Sequence, residues 1–386
     1  MNRKLYTMAQ AGKIVAGAGT LATIAEQVGA YGAKKVLIVT DPGVCSAGLV
    51  EQPQRLLAAA GIESTVIFSI PPEPAIGHVE AALTEARGWG CDMVVGLGGG
   101  SAMDAAKLIA VLLTTSLSLR DLVAQASGWR RQLPLLLVPT TAGTGSEATP
   151  NAIVLDPEAG VKIGIVNPEL VPDCILLDPL LTLGLPPAIT AATGMDALSH
   201  AIECYISQKA NPLSDTFALK AVSLISRSLR TAFLNGADVD ARHDMLLAAM
   251  FGGMCIASSS TTAVHALSYP LGGRYRIPHG LANAILLPYV MEFNLTASEP
   301  RFAELAAAMH LPVAGLSTAQ AAAAMLENLY SLIRDLQIEP SLKPYGITEK
   351  EVDSLATAAA GVTRLLNNNP RPMSHADIRS VYLRLL

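Results

Sequence analysis

Residues 93–113 read MVVGLGGGSAMDAAKLIAVLL, and the order of residue types in this stretch decides the fold. Met93 to Leu97 is a largely apolar run with strand character. It passes straight into Gly98-Gly99-Gly100, and from about Ala102 to Leu113 the composition turns to helix formers. A buried strand that runs through glycines into a helix is the repeating unit of a parallel sheet. Its turn is where such sheets bind phosphates: glycine lets the backbone approach a pyrophosphate, and the helix N-terminus offers free N–H groups and the positive end of its dipole. A tight turn with no ligand would carry the same three glycines. A second stretch separates the two readings. Leu135 to Val138 is another apolar strand, and PTTAGTGSE follows at residues 139–147. Hydroxyls and glycines at the end of a second parallel strand can line the same crevice, so the pair of turns predicts a nucleotide site.

Working outward, the first half of the chain alternates. Lys13 to Gly17 predicts a strand, Thr20 to Ala30 a helix, Lys35 to Thr40 a strand that closes at Asp41, Thr65 to Ile70 a strand and Ala75 to Trp89 a helix. Ala152 to Leu155 and Val161 to Val166 flank a turn at Asp156-Pro157-Glu158, and Cys174 to Leu177 is the last convincing strand. Strands alternating with helices imply a parallel sheet covered on both faces. The character changes near Leu185-Pro186-Pro187. Beyond it, segments near 187–207, 212–235, 238–259, 301–309, 317–336 and 348–361 read as helices, rich in Ala and Leu and separated by Pro, Gly or Asn. The expected organisation is an α/β domain over 1–184 and an all-helical domain over 185–386. Asp41 can accept hydrogen bonds from an adenosine ribose and repel a 2′-phosphate, which would favour NAD over NADP. It can equally start the turn Asp41-Pro42-Gly43.

Composition bounds the partners. The 386 residues are 51% hydrophobic and 15% charged, enough apolar side chain for a large core, with aromatics at only 4%. The net charge of −5 and the lack of any basic block argue against nucleic acid. Apolar runs such as Leu108 to Leu113 fall far short of the roughly 18–20 residues of a spanning helix. The N-terminal segment lacks the continuous apolar region of a cleaved signal. The five cysteines, Cys45, Cys91, Cys174, Cys204 and Cys255, are scattered without a C-x-x-C spacing, as in a reduced protein. A soluble, cytoplasmic protein is expected.

Of the seven histidines, three stand in a suggestive set. Asp196 and His200 sit one helical turn apart, so both project from one face. His265 follows the polar run Ser258 to Thr262, near the start of a short helix. His279 lies in Ile277-Pro278-His279-Gly280, read as a loop whose glycine permits close approach. Any one of these histidines alone would more simply be a packed or surface residue. Together, three imidazoles and a carboxylate would suit Fe2+ or Zn2+ with an open position for a substrate oxygen. Such an ion is a Lewis acid toward an alcohol, whose hydride can pass to a nicotinamide. That chemistry would place the site in the cleft between the domains. His78, His243, His310 and His375 have no comparable neighbours and read as structural or exposed.

With these pieces in view, the sequence resembles the iron-containing (group III) alcohol dehydrogenases over nearly its whole length. The most specific segments are GGGSAMDAAK (98–107), PTTAGTGSE (139–147), ATGMDALSHAIE (192–203) and VHALSYPLGGRYRIPHGLANAILLPYVMEFN (264–294). The resemblance implies a dehydroquinate-synthase-like fold: a Rossmann-like nucleotide-binding α/β domain and a helical metal-binding domain. It implies Asp196, His200, His265 and His279 as metal ligands. It further implies cofactor contacts from Asp41, Gly98, Gly99, Gly100, Ser101, Thr140, Thr141, Thr144 and Thr149, with Lys162 close to the cofactor ribose. The expected function is interconversion of an alcohol and an aldehyde or ketone with NAD(H), by a homodimer or larger assembly.

The sequence departs from the family at two places. Many members carry a second histidine four residues after the ligand at His265, beside the open coordination position; here that residue is Tyr269. A phenol ordinarily ionises near ~10 and relays protons poorly at neutral pH. The tyrosine also resembles the branch that includes hydroxyacid-oxoacid transhydrogenases, so a functionalised alcohol is an alternative substrate. At Glu73 many members have asparagine, and the extra acid would weaken cofactor binding slightly. A dehydroquinate-synthase-like lyase is a further alternative, but it would need clustered cations for a polyanionic substrate, and only Arg274 and Arg276 lie near the metal segments. A non-catalytic binding protein of the same fold would have no reason to keep four ligands.

Overall fold

The computed structural model describes residues 5–125, 128–158 and 161–386. Two compact units make up the chain. One comprises Ala9–Thr141 with Gly145–Gly184, the other Leu185–Leu386 with residues 5–8 and Ala142–Thr144.

The first unit is built on eight strands: β1 (Lys13–Ala16), β2 (Lys35–Val39), β3 (Glu63–Ile67), β4 (Met93–Gly98), β5 (Leu135–Pro139), β6 (Asn151–Asp156), β7 (Val161–Val166) and β8 (Cys174–Leu177). Its helices are α1 (Ile24–Gly29), α2 (Pro42–Ser46), α3 (Glu51–Ala59), α4 (Ile76–Arg87), α5 (Gly100–Leu112) and α6 (Leu119–Ala124). Six strands form one parallel sheet in the order β1-β8-β5-β4-β2-β3, while β6 and β7 pair separately as an antiparallel hairpin. Strand side chains alternate faces, and both faces are covered. Leu37, Val39, Val94 and Leu137 pack with Val79, Leu83, Met103 and Ile109 on one side. Val36, Ile38, Val95 and Val138 pack with Leu21, Ile24, Val28 and Leu57 on the other. That double burial is why these strands read as unbroken apolar runs rather than alternating ones.

The chain leaves β2 toward β3 on one side of the sheet and leaves β4 toward β5 on the other. The order therefore reverses between β2 and β4, and the carboxyl ends at such a reversal form the crevice where parallel sheets bind ligands. Asp41 follows β2 there, and the glycine turn follows β4.

The second unit is all helix: α7 (Pro187–Ile206), α8 (Pro212–Leu234), α9 (Val239–Ser259), α10 (Ala263–Tyr275), α11 (His279–Asn294), α12 (Glu299–Ala308), α13 (Thr318–Asp335), α14 (Glu349–Ala360), α15 (Thr363–Leu366) and α16 (His375–Leu383). Local chemistry sets the ends. Asn211 caps α8 by accepting from Leu213 and Ser214 N–H, with Pro212 at the first helical position. Between α9 and α10 the chain turns through Ser260 at φ 68°. Among the described residues, no single helix is long and apolar enough to cross a membrane.

Several elements differ from the sequence reading. The helix expected over Thr20 to Ala30 begins as a 3-10 turn, Thr20–Thr23, before α1. The strand expected at Thr65 to Ile70 is β3, two residues earlier, because its register is set by pairing Lys35 with Glu63 on β2. His279 does not lie in a loop: it is the first residue of α11, directly after Pro278. The helices α2, α3, α6, α11, α15 and α16 were not anticipated.

Candidate metal and nucleotide sites

Three helices of the second unit converge on one point. Asp196 and His200 lie one turn apart on α7, His265 is the third residue of α10, and His279 opens α11. One donor atom from each lies within 4.8 Å of all the others. The three imidazole Nε2 atoms stand 3.8, 3.9 and 3.9 Å from Asp196 Oδ1. A tetrahedral ion with bonds of about 2.1 Å needs donor separations near 3.4 Å, so the donors are already spaced for an ion after small inward shifts. The close approach of α11 to α7 requires glycine: a Cβ at Gly280 would fall 2.6 Å from the Ala192 carbonyl oxygen.

Asp196, His200 and His265 are buried, whereas the His279 side chain is 28% exposed, so the cage opens on the His279 side. Burial pushes the Asp196 carboxyl up, but the His200, His279 and His265 rings outweigh it and hold the group below its ordinary range. At His200 burial wins over the attraction of Asp196 and lowers the ring's pKa. At His265 burial acts downward too, but the Glu203 carboxylate overcomes it and the pKa rises. Tyr269 stands one turn beyond His265 on α10, its ring centroid 6.2 Å from that of His279.

Two residues at this site were missed by the sequence reading. Glu203 accepts from His265 Nδ1, and Asn283 on α11 donates from Nδ2 to Asp196 Oδ1 at 2.7 Å, with His265 Nε2 at 3.1 Å and His279 Nε2 at 3.3 Å. Spacing held a signal for both: Glu203 falls seven residues after Asp196 and three after His200, and Asn283 four after His279, each on the face of its neighbours.

In the first unit the glycine turn is tightly built. Gly98 has φ 152°, and a Cβ there would meet Ala102 Cβ at 2.8 Å and Asp41 Oδ2 at 3.1 Å. Asp41 does start the turn, since its Oδ1 accepts from Val44 N–H at 3.0 Å and caps α2. Its second oxygen faces the turn, so the two readings of Asp41 are compatible. Thr141 lies against Gly99, its hydroxyl 3.4 Å from the place of a Cβ there. Ser101 Oγ accepts the Glu73 N–H at 3.0 Å, and Glu73 Oε1 in turn pairs with Lys162 Nζ at 2.6 Å. Glu73 thus spends its charge on Lys162. Thr144 packs with the helical unit, as does Gly143, against Thr193.

Behind the turn lies a polar knot that the sequence reading did not single out. Lys107 on α5 is wholly buried. Its ammonium donates to the carbonyls of Ser146, Thr149 and Asn151 at 2.5, 3.1 and 2.7 Å and to Thr149 Oγ1 at 3.2 Å. Asp104 accepts from Ser146 Oγ at 2.5 Å and Ile153 N–H at 2.9 Å, 3.6 Å from the ammonium. The hydroxyl of Thr149 is therefore engaged with Lys107. Beside them, Glu147 is buried with no partner for Oε1 among the described residues, and burial pushes its carboxyl up to about 7.

That last shift has a definite sign. The folded protein keeps the Glu147 proton where the unfolded chain, ionising near 4.5, has lost it. The resulting stability is complete at low pH and disappears as pH rises through about 7. Glu147→Gln is expected to flatten the dependence of the urea midpoint on pH between about 4.5 and 7, and to exceed the wild type above that window by about 3 kcal/mol at most. Parallel pH profiles for the two proteins would count against a protonated Glu147.

Both units match known proteins. Residues 11–179 fit the family model described as iron-containing alcohol dehydrogenase, and residues 190–386 fit that of the C-terminal part of the Fe-containing alcohol dehydrogenase family. Long-chain-alcohol dehydrogenase 1 of Geobacillus thermodenitrificans is 41% identical over 369 residues, covering 95% of this chain and 93% of its own. The structure of an alcohol dehydrogenase from Oenococcus oeni superposes with TM-score 0.95 at 34% identity, covering 99% of this chain and 100% of the other. Sulfoacetaldehyde reductase from Bifidobacterium kashiwanohense, solved in complex with NAD+, does so with TM-score 0.89 at 32% identity over 99% of both chains. With its donor cage, its doubly covered parallel sheet and these likenesses along its whole length, the chain belongs to the iron-containing alcohol dehydrogenase family, as a metal-dependent oxidoreductase that interconverts alcohols and aldehydes with NAD(H).

Proposed function

We propose that Asp196, His200, His265 and His279 hold one divalent ion, Fe2+ or, with the same donors, Zn2+. The observation that carries this is the near-equal spacing of three Nε2 atoms from one carboxylate oxygen. An ion bound there supplies Lewis acidity toward the substrate oxygen. The chain's own residues do the rest. Asp196 brings a negative charge that offsets the ion. His279, the most open of the four, borders the side from which an alcohol would enter. Tyr269 takes the place of the family's second histidine and donates a hydrogen bond rather than relaying a proton, which favours an alcohol bearing a further polar group.

On the cofactor side, Gly98, Gly99, Gly100 and Ser101 receive the pyrophosphate at the N-terminus of α5. Thr140, Thr141, Thr144, Thr149 and Lys162 complete the contacts, and the free oxygen of Asp41 takes the adenosine ribose and excludes a 2′-phosphate. We take 1–184 as the nucleotide-binding domain and 185–386 as the metal-binding domain, with Ala142–Thr144 packing in the second unit. The five free cysteines suit a cytoplasmic enzyme, and a homodimer is the smallest assembly expected. A lyase gains no support: Arg274 is turned to Ser354 on α14, at 2.6 Å.

Anaerobic purification, elemental analysis and NADH formation over a panel of alcohols, diols and hydroxyacids test the reading together. About one ion per chain is expected, with turnover abolished by chelation and restored by Fe2+ or Zn2+, and at least ~10-fold preference for NAD over NADP. An enzyme that turns over undiminished after metal removal would refute the ligand assignment. A preference for NADP would refute the role of Asp41. Tyr269→Phe, run on the same panel, is expected to slow polar alcohols more than simple ones.

A further inference from the structure

Glu203 lies on α7 with no exposed surface. One of its oxygens, Oε1, accepts from Thr262 N–H at 3.1 Å, Thr262 Oγ1 at 2.6 Å and Val264 N–H at 2.7 Å. The other, Oε2, contacts His265 Nδ1. An ionised carboxylate only accepts, so Nδ1 carries the ring hydrogen and Nε2 presents a lone pair. A second contact agrees independently. Asp196 Oδ1 can only accept, which identifies the Asn283 atom at 2.7 Å as its amide nitrogen; the same nitrogen stands 3.1 Å from His265 Nε2 and 3.3 Å from His279 Nε2, and since an amide nitrogen does not accept, the His265 contact favours a lone pair on Nε2.

We propose that Glu203 is a positioning residue for the metal site: it selects the His265 tautomer whose Nε2 can bind an ion, and it fixes where that ring stands. Both tasks fall to one side chain because of how α10 begins. The first N–H groups of a helix have no acceptor within it, and Thr262, just before α10, makes no side-chain cap of its own. Glu203 reaches across from α7 to take the Thr262 and Val264 N–H groups. The start of α10, the ring two residues into it and the α7 ligands are thus tied to one carboxylate. A carboxylate behind a ligating imidazole orients the ring and raises its basicity. The proposal rests on the ligand assignment made above.

Glu203→Gln tests it sharply. The amide oxygen must take the place of Oε1, where three donors converge, so the amide NH2 lands on His265 Nδ1. It donates there, and the ring hydrogen moves to Nε2, closing that atom to a metal. Affinity for Zn2+, and for Fe2+ under anaerobic conditions, is measured by competition with a chromophoric chelator. A loss of about 10–100-fold is expected, with the metal-free variant melting close to the wild type. Wild-type affinity in Glu203→Gln would overturn the proposal. His200→Ala separates the two ideas: if it loses the ion while Glu203→Gln does not, the ligand set stands and Glu203 has no such role. If His200→Ala also binds normally, the ligand set itself falls, and the proposal with it. Should the glutamine variant fail to fold, the metal-free wild type still decides the matter through 15N-histidine NMR. At a pH where the His265 ring is neutral, hydrogen on Nδ1 supports the proposal and hydrogen on Nε2 overturns it.

Discussion

Replacing His200 by alanine is expected to remove the bound ion and to lower kcat/KM for an alcohol by at least ~10³-fold, with the chain still folded. Lewis-acid stabilisation by a bound metal is worth several kcal/mol, and each ~1.4 kcal/mol is a factor of ten. The three remaining donors, Asp196, His265 and His279, come from three different helices, and without His200 one side of the cage is empty. The ring is buried beside His265, with centroids 4.6 Å apart. Its removal leaves a small cavity, costing on the order of 1–3 kcal/mol. Metal content and turnover should therefore fall much further than the melting temperature. A variant that retains both the ion and its activity would show that the cage at Asp196 is not the working site.

Lys107→Ala carries the largest expected effect on stability, about 3–5 kcal/mol, because it leaves the Asp104 carboxylate buried without its cation. The melting temperature of the first unit should drop on the order of 10 °C. Three carbonyls, those of Ser146, Thr149 and Asn151, lose a shared donor at the same time. These residues follow the turn Thr140–Gly145 and lead into β6, so the loop proposed to line the cofactor should loosen and KM for NAD rise more than kcat falls. Removing both charges, in Lys107→Met with Asp104→Asn, should cost less than Lys107→Ala alone, since no unpaired ion remains. Equal melting temperatures for Lys107→Ala and the wild type would exclude a stapling role.

The knot and the metal cage differ in how far they could be seen from the chain alone. Local spacing exposes groups that share one element. Asp196 and His200 are one turn apart, and the glycines at 98–100 sit between a strand and a helix. The same holds for the division into an α/β part and a helical part, since alternating apolar strands and long Ala- and Leu-rich runs are properties of short windows. Nothing in GGGSAMDAAK sets Lys107 apart from an ordinary helix lysine. Only the return of residues 146–151 over α5 surrounds it with carbonyls.

Element ends and pairings were the least legible. β3 was expected two residues later because apolar residues run on past Ile67, while the observed span is set by its hydrogen bonds to β2. His279 was expected in a loop beside Gly280, yet α11 starts on His279 itself with Pro278 as its N-cap. Glu73 and Lys162, 89 positions apart, pair because the β6–β7 hairpin lies beside Pro74 and Ala75.

The sequence by itself determined the doubly covered parallel sheet, the glycine turn after β4 and the helical second half, and it put Asp196 and His200 one turn apart on one helix face. Each of these is a pattern of residue types at short, regular spacing, and that is what helices and strands impose. Tertiary structure alone decided that the three Nε2 atoms stand at near-equal distances from one oxygen, that Glu203 holds His265 from behind, and that Lys107 and Asp104 bind the loop after β5. Those contacts join residues tens of positions apart. Their existence depends on which helices pack and how closely, at Gly280 against Ala192 for instance, and no local window contains that information.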